Sequence, residues 1–303
     1  MICSNYHRHS YSINMGARLS IRIFTAFIIL VLLLSTNATV NAKASSENHN
    51  KHELVFGVLP IVSTQRLVLR FGPLADYLSE KLGKPVRIET APNYAEFVRR
   101  TNIEKRYDLL FTAPHLYYLA QRSAGYRVIV RVDMPVMRAL IVVPKTSNIH
   151  ALQDLRGKSL ATVDPLGLGT ILVRALLSDA GIDPDKDLML VTTPTHNASL
   201  LSAYKHITDA ACLMLQPYQR TKPEIKSTMR VIAETKGTPH MPISVAPRLS
   251  KNDAQQIEDI LLGLNSSDRG RALLKHLNWP GFAKTNPHEY DKIKWAAQQI
   301  KLK

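Results

Sequence analysis

The pattern that decides the fold is clearest at residues 160–180, which read LATVDPLGLGTILVRALLSDA. The apolar run at 160–163 is typical of a short buried strand, and the apolar spacing over 171–180 is typical of a helix. A turn with two glycines joins them. This strand–turn–helix unit predicts part of a parallel sheet, because parallel strands need crossover connections that cover the sheet with helices.

The same alternation extends along the chain on both sides of this unit. Strands are predicted at 54–58, 86–89, 108–111, 127–132, 188–191, 209–213 and 229–233. Helices are predicted at 67–82, at 94–105, from Pro114, and at 196–204, 253–264, 268–277 and 287–300. Strands alternating with helices predict an α/β fold.

Two apolar segments, ALIVV at 139–143 and PISVA at 242–246, fall outside this alternation. As crossing strands they predict two lobes, each a mostly parallel sheet flanked by helices. Lobe 1 then comprises 53–138 plus 246–303, and lobe 2 comprises 145–238. The hinge crossings are 139–144 and 239–245, with a ligand cleft between the lobes. One continuous sheet is the alternative.

The first 42 residues have the pattern of an export signal. Arg18 and Arg22 precede an apolar run at 23–34, which is shorter than the roughly 20 residues of a membrane-spanning helix. Small residues before a cut after Ala42 complete the pattern. We therefore expect a signal peptide at 1–42, a flexible leader at 43–52 and a periplasmic protein. A retained membrane anchor is the alternative, and Met15 is a second candidate start.

The charge and the cysteines limit the classes of function. The chain has 39 lysines and arginines against 24 acidic residues, a formal charge of +15, which favours an anionic partner. No basic stripe interleaved with aromatic residues is present, so no nucleic-acid partner is predicted. Two cysteines exclude a disulfide-stapled scaffold. Cys212 lies in an apolar run, and we expect a buried, unreactive thiol rather than a nucleophile.

Three strand-to-helix turns are candidate binding elements: 112–115 (TAPH), 164–170 (DPLGLGT) and 193–196 (TPTH). Each would place unpaired backbone N–H groups and the positive end of a helix dipole at the carboxyl end of a strand, where an anion can dock. Thr170 can add a hydroxyl donor. The alternative is that Thr170 and Thr195 only cap their helices.

Three further segments, GVLP at 57–60, LADYLSEKLG at 74–83 and DLRGK at 154–158, together resemble one known family. Their order and spacing are similar to those of the phosphate/phosphite/phosphonate-binding family of ABC-transporter periplasmic substrate-binding proteins, over residues 53–250. The resemblance implies a two-lobed type II periplasmic binding fold. It also implies a protein that holds a small anionic solute and delivers it to an inner-membrane permease.

The resemblance assigns roles to individual residues. Tyr94 matches a tyrosine that opens the helix after the second strand, and 113–117 matches a Gly-Pro-x-x-Tyr turn. Residues 164–170 match the Asp-Pro-x-Ser-Thr-Ser-Gly loop, and His196 matches a cleft histidine. With the turns, the candidate ligand-binding set is Tyr94, Ala113, His115, Tyr117, Gly167, Leu168, Gly169, Thr170, Thr195, His196 and His240. Residues 167–169 replace three hydroxyl residues, which leaves the identity of the solute open.

The histidines allow a second interpretation. His115, His196 and His240 could donate to an anion or hold a transition metal. No carboxylate or thiolate joins them in the sequence, so neither a metal nor a cofactor is predicted. No motif pairs a nucleophile with a base, so no catalytic residue and no enzyme is predicted. A sensory subunit that presents its ligand to a membrane receptor kinase is the alternative to transport, and a monomer is expected.

Overall fold

A computed structural model describes residues 53–298 and Ile300. The predicted signal peptide at 1–42 and the leader at 43–52 lie outside these residues. Among the described residues, no helix combines the length and the apolarity that crossing a membrane requires.

The described residues form two sheets, each with its own helices, and we call these bodies the first and second lobes. The strands are β1 (Leu54–Val58), β2 (Val86–Glu89), β3 (Leu109–Phe111), β4 (Arg127–Val132), β5 (Ala139–Pro144), β6 (Ser159–Thr162), β7 (Met189–Thr192), β8 (Ala210–Met214), β9 (Met229–Glu234), β10 (Pro242–Val245) and β11 (Phe282–Lys284). The first sheet has the order β11-β4-β10-β3-β1-β2, and the second has the order β7-β6-β8-β5-β9.

Helices cover the sheets and connect the strands. They are α1 (Thr64–Leu82), α2 (Tyr94–Asn102), α3 (Pro114–Ala124), α4 (Leu168–Asp179), α5 (His196–Tyr204), α6 (Leu215–Gln219), α7 (Pro223–Lys226), α8 (Lys251–Leu262), α9 (Asp268–Leu277) and α10 (Lys294–Ala297). Short 3₁₀ helices occur at Leu152–Leu155, Gly263–Ser266 and Pro287–Ile293. The helix predicted at 287–300 is therefore a 3₁₀ segment followed by one α turn.

Both sheets are mixed, with most strands running in one direction. In the first sheet β1 to β4 run the same way, and β10 and β11 oppose them. In the second sheet only β5 opposes the other strands. The two apolar segments that stood outside the alternation are these interior antiparallel strands, β5 and β10, which confirms the mostly parallel character and explains its exceptions.

The chain passes between the sheets twice, after β4 and after β9. The connecting segments are 133–138 and 235–241, and they pair with each other through Met137 and Thr238, whose amides and carbonyls exchange bonds of 2.8 and 2.9 Å. The sequence placed the crossings at 139–144 and 239–245, but 139–144 is strand β5 and 242–245 is strand β10. We propose 133–138 and 235–241 as the hinge.

An aromatic cluster packs at the carboxyl end of β3 in the first lobe, and an ion pair lies at the amino end of the same strand. Phe71 of α1 and Phe111 at the end of β3 have ring centroids 5.2 Å apart, and Trp279 lies 5.3 Å from Phe111. At the opposite, amino end of β3, the buried carboxylate of Asp108 accepts a 2.8 Å bond from Arg248, which follows β10. The return segment is thereby tied to the strand whose end faces the second lobe.

Candidate functional site

The turn after β6 is held by the side chain and the carbonyl of Asp164. Its carboxylate accepts from the Leu166 amide at 2.8 Å, and its carbonyl accepts from the Gly167 amide at 2.7 Å. A Cβ on Gly167 would lie 2.9 Å from the Asp164 carbonyl oxygen and 2.8 Å from Val163 Cγ2. Glycine is therefore required for this tight turn, which sets the direction of α4.

Helix α4 begins at Leu168, three residues before the predicted start. Leu168, Gly169 and Thr170 form its first turn, where backbone N–H groups have no acceptor within the helix. Gly167 offers no side-chain cap, and all four residues are buried. The Thr170 hydroxyl donates to the Val163 carbonyl at 3.1 Å, so the expectation that it adds a donor for a ligand is corrected. Backbone amides remain the donors of this turn.

His115 joins the first lobe to this turn of the second lobe. Pro114 opens α3 at its first position, and the His115 side chain that follows is fully buried. Its Nε2 lies 2.9 Å from the Leu166 carbonyl oxygen, and because a carbonyl only accepts, Nε2 carries the hydrogen. Burial lowers the pKa of His115 to about 4. The ring is therefore neutral at pH 7, and its buried Nδ1 is an acceptor without a partner.

His196 lies against the first turn of α4. It is the first residue of α5, which the Thr195 hydroxyl caps by accepting a 3.1 Å amide bond. A Cβ on Gly169 would lie 3.4 Å from His196 Cε1, 3.3 Å from Met214 Sδ and 3.7 Å from Cys212 Sγ. The His196 ring is therefore within van der Waals range of the Gly169 position. Burial lowers the pKa of His196 to about 4, and its Nδ1 is also buried without a partner.

Tyr94 approaches the same turn from the first lobe. It is the first residue of α2, which Asn93 caps by accepting from the third amide of the helix at 2.8 Å. Burial, and then the charge of Asp164, raise the pKa of Tyr94 above its usual value. The phenol is therefore neutral at any physiological pH and close enough to the second lobe to experience the charge of Asp164.

Thr112 is a candidate that the sequence analysis did not select on its own. It follows β3, immediately before the buried N-cap residue Ala113, and its hydroxyl is fully buried with no hydrogen-bond partner. A threonine at the carboxyl end of a parallel strand was the available signal, since such positions face ligands in α/β sheets.

Tyr117 and His240 surround a different residue, Tyr290. The Tyr117 hydroxyl accepts from the Val128 amide at 3.1 Å, and its fully buried ring packs 4.8 Å from that of Tyr290. The Tyr290 hydroxyl donates to the His240 carbonyl at 3.1 Å, and His240 Nδ1 accepts from the Met241 amide at 2.9 Å. Burial lowers the pKa of His240 to about 4. These contacts give both residues a packing role in the first lobe.

Metal binding and thiol chemistry find no support in the described residues. Within 53–298 and Ile300, no group of three or more His, Cys, Asp or Glu side chains is placed to hold a metal ion. The Cys212 thiol is fully buried and donates to the Gly169 carbonyl at 3.4 Å. The expected burial of Cys212 is confirmed, and because burial raises the pKa of its thiol to about 12, its low reactivity stays a prediction.

An open groove of about 1040 Å³ runs beside α4. Its walls include Thr162, Thr192, Arg174 and Trp295, but Thr170 is the only member of the candidate ligand-binding set among them. The groove is lined by the carboxyl ends of β6 and β7, by α4 and by Trp295 of α10. The interlobe residues described above meet at the turn 164–170 instead.

Comparison with known proteins identifies the family. A family model described as "ABC transporter, phosphonate, periplasmic substrate-binding protein" matches residues 56–290. The phosphonates-binding periplasmic protein of Escherichia coli K12 is 23% identical over 270 residues, which cover 86% of this chain and 78% of that protein.

Two solved structures show the same fold. The binding component of an ABC phosphonate transporter from Pseudomonas aeruginosa has a TM-score of 0.71 and 20% identity, over 82% of this chain and 87% of that one. PhnD1 from Prochlorococcus marinus in complex with methylphosphonate has a TM-score of 0.74 and 18% identity, over 82% and 98% of the two chains. With the family match over most of its length, the chain belongs to the periplasmic substrate-binding proteins of phosphonate ABC transporters.

Proposed function

We propose that this protein binds a small phosphonate- or phosphate-like oxyanion between its lobes and presents it to a membrane permease. The family membership supports the transport role, and the similar PhnD1 was solved with methylphosphonate. The family description names a transporter component, which supports transport over the sensory alternative. Export through the signal at 1–42, a monomeric state and the absence of catalysis belong to the same proposal.

The observation that carries the proposal is the meeting of α4 with two histidines, the buried His115 and the half-buried His196. The first-turn amides of Leu168, Gly169 and Thr170 point the positive end of the helix toward a ligand. His115 contacts the carbonyl of Leu166, and His196 lies beside Gly169, each with an unpartnered Nδ1. Ten buried side-chain polar atoms lack a partner in the described residues, and these two support a ligand position because both belong to residues against the turn 164–170.

Protonation on binding explains how His115 and His196, which are neutral in the empty site, can hold an anion. A negative charge next to an imidazole raises its pKa and favours the protonated form. Protonated His115 and His196 would each present Nδ1–H to the oxyanion, adding charge-assisted donors to the amides. Binding should therefore take up protons at pH 7.

We place Tyr94, Thr112 and Thr195 around this centre as neutral hydroxyl groups. Ala113 and Gly167 act through the backbone, since each is the N-cap of a helix without a side-chain cap. Tyr117 and His240 support the first lobe from behind and lie outside the proposed contact set.

Isothermal titration calorimetry of ligand-free protein tests this function directly. Methylphosphonate, phosphite, phosphate and a small carboxylate should be compared, each in two buffers that differ in ionisation enthalpy. We expect saturable binding of a phosphonate or phosphate with proton uptake, and at least ten-fold weaker binding in H196A. H150Q is the matched control, because His150 is exposed and belongs to neither the contact set at α4 nor its supporting residues. No heat from any of the oxyanions, or unchanged affinity in H196A, would contradict the proposal.

A further inference from the structure

Two arginines from different lobes are anchored at residues 277 and 278. Arg70 lies on α1 in the first lobe, and Arg220 follows α6 in the second lobe. Arg70 Nη2 donates to the Leu277 carbonyl at 3.0 Å. When the Asn278 side-chain amide is oriented so that its oxygen faces Arg220, this oxygen accepts from Arg220 Nη2 at 3.0 Å and from Arg220 Nε at 3.2 Å. The two guanidinium groups are therefore held on consecutive residues.

Neither guanidinium is neutralised by these anchors. Both acceptors are uncharged oxygens, and neither arginine forms an ion pair with a carboxylate in the described part of the chain. An arginine side chain has five N–H donors, of which Arg70 uses one and Arg220 two in these bonds. Burial, and then the charge of Arg220, lower the pKa of Arg70, which agrees with two like charges lying close together.

Aromatic rings hold Arg70 in a fixed orientation. Its guanidinium carbon lies 5.6 Å from the ring centroid of Trp279 and 5.6 Å from that of Phe71. Trp279 itself is buried, at 8% exposure. Stacking on aromatic faces leaves the in-plane donors of a guanidinium available, and those donors match the oxygens of a phosphate-type anion.

We propose that Arg70 and Arg220 form a second oxyanion site that spans the two lobes. Its ligand is a small doubly charged oxyanion, of which inorganic phosphate is the simplest example. Such an anion neutralises both cations and uses donors that the protein leaves free. Because one arginine comes from each lobe, the bound anion also holds the lobes together. The site goes beyond the proposed function and shares no residue with the proposed contact set at α4.

Trp279 provides a local readout of this site. The chain contains two tryptophans, so W295F leaves Trp279 as the only one. In that background, inorganic phosphate should be titrated at constant ionic strength against chloride, with emission and calorimetry followed in parallel. We expect a saturable change in Trp279 emission whose midpoint shifts at least ten-fold in R70Q and in R220Q. R66Q, which removes an exposed positive charge from the same helix, should titrate like the parent.

Further variants distinguish phosphate binding at the two arginines from oxyanion binding at the contact set at α4. H196A alters the contact set at α4 and leaves both arginines intact, so it should keep the Trp279 response even where calorimetric binding at α4 is lost. R220Q changes an exposed side chain and keeps the fold measurable if R70Q does not fold. The proposal is overturned if phosphate gives no saturable emission change, if R220Q titrates like the parent, or if H196A abolishes the response.

Discussion

Lowering the pH from 7 to 5 should destabilise the fold through three histidines, of which His115 and His240 are buried and His196 is half-buried. Burial lowers the pKa of His115, His196 and His240 from 6.5 to about 4. Each folded-state pKa lies below the unfolded value, so each histidine stabilises the fold fully above pH 6.5 and loses that contribution as the pH falls toward 4. At pH 5 the loss is about 2 kcal/mol for each histidine.

Urea unfolding of wild type and H115Q at the two pH values measures this loss. Glutamine keeps a donor for the Leu166 carbonyl but does not titrate. The decrease in unfolding free energy between pH 7 and 5 should be about 2 kcal/mol smaller in H115Q than in wild type. H276Q is the control, since His276 makes a similar 2.9 Å contact to the Leu69 carbonyl but is exposed.

The titration of carboxylates contributes little to the stability change between pH 7 and pH 5. Ion pairs and backbone hydrogen bonds lower the pKa of Glu96 and Asp154 from 4.5 and 3.8, so their contributions are lost mainly below pH 4.5. An equal pH effect in wild type and H115Q would refute the reasoning. It would mean that the His115 ring gains a proton in the folded state without the cost of losing its hydration.

Three other changes test the turn, the core and the thiol. G167A should weaken oxyanion binding at least ten-fold by calorimetry, because its Cβ would meet the Asp164 carbonyl at 2.9 Å, whereas G72A has nothing within 4 Å and should leave binding unchanged. D108A should lower the free energy of unfolding in urea by about 2–4 kcal/mol, because it leaves the Val55 amide and Arg248 without their buried acceptor. A decrease of less than about 1 kcal/mol would contradict this. Cys212 should resist a thiol reagent at pH 8 in the folded protein and react promptly in urea, because burial raises its pKa to about 12; rapid labelling of the folded protein would contradict this.

The sequence is informative where local signals fix an element. The apolar spacing Leu67, Phe71, Leu74 and Leu78 predicts α1, and Gly83 in the left-handed conformation ends it as expected. Thr195, which the sequence offers as a possible helix cap, marks the start of α5, because its side chain accepts a free amide of the first turn. Each of these signals lies within a few residues of the feature that it predicts.

Helix α4 shows where a local signal misleads. Gly167, Gly169 and Thr170 have low helix propensity, so the sequence predicts that the helix begins at Ile171. The structure begins the helix at Leu168, because the Asp164 turn and the packing of Leu168 against the core fix the backbone there. The predicted glycine loop is therefore the first turn of a helix, and its amides are oriented by the helix axis.

Strand direction and contacts between lobes could not be read from local patterns. The segments that form β5 and β10 are apolar throughout, which indicates burial but not the direction in which they enter a sheet. The contact between His115 and Leu166 joins residues 51 positions apart, and that between Arg220 and Asn278 depends on both lobes. Such contacts follow from the topology, which the sequence specifies only as a whole.

Residues 167–169 of the turn 164–170 are Gly, Leu and Gly, where the family resemblance implies hydroxyl residues, and this affects how an anion can be held. Leu168 and the two glycines contribute only amides, whose helix end is equivalent to about half a positive charge. A permanent buried cation would add more, but it would be costly to desolvate when no anion is present. Histidines whose pKa is about 4 avoid that cost, because they stay neutral in an empty site and gain a proton only beside a negative charge. A site of this kind favours a singly charged or partly protonated oxyanion with an apolar substituent, and its affinity should rise as the pH falls toward 6.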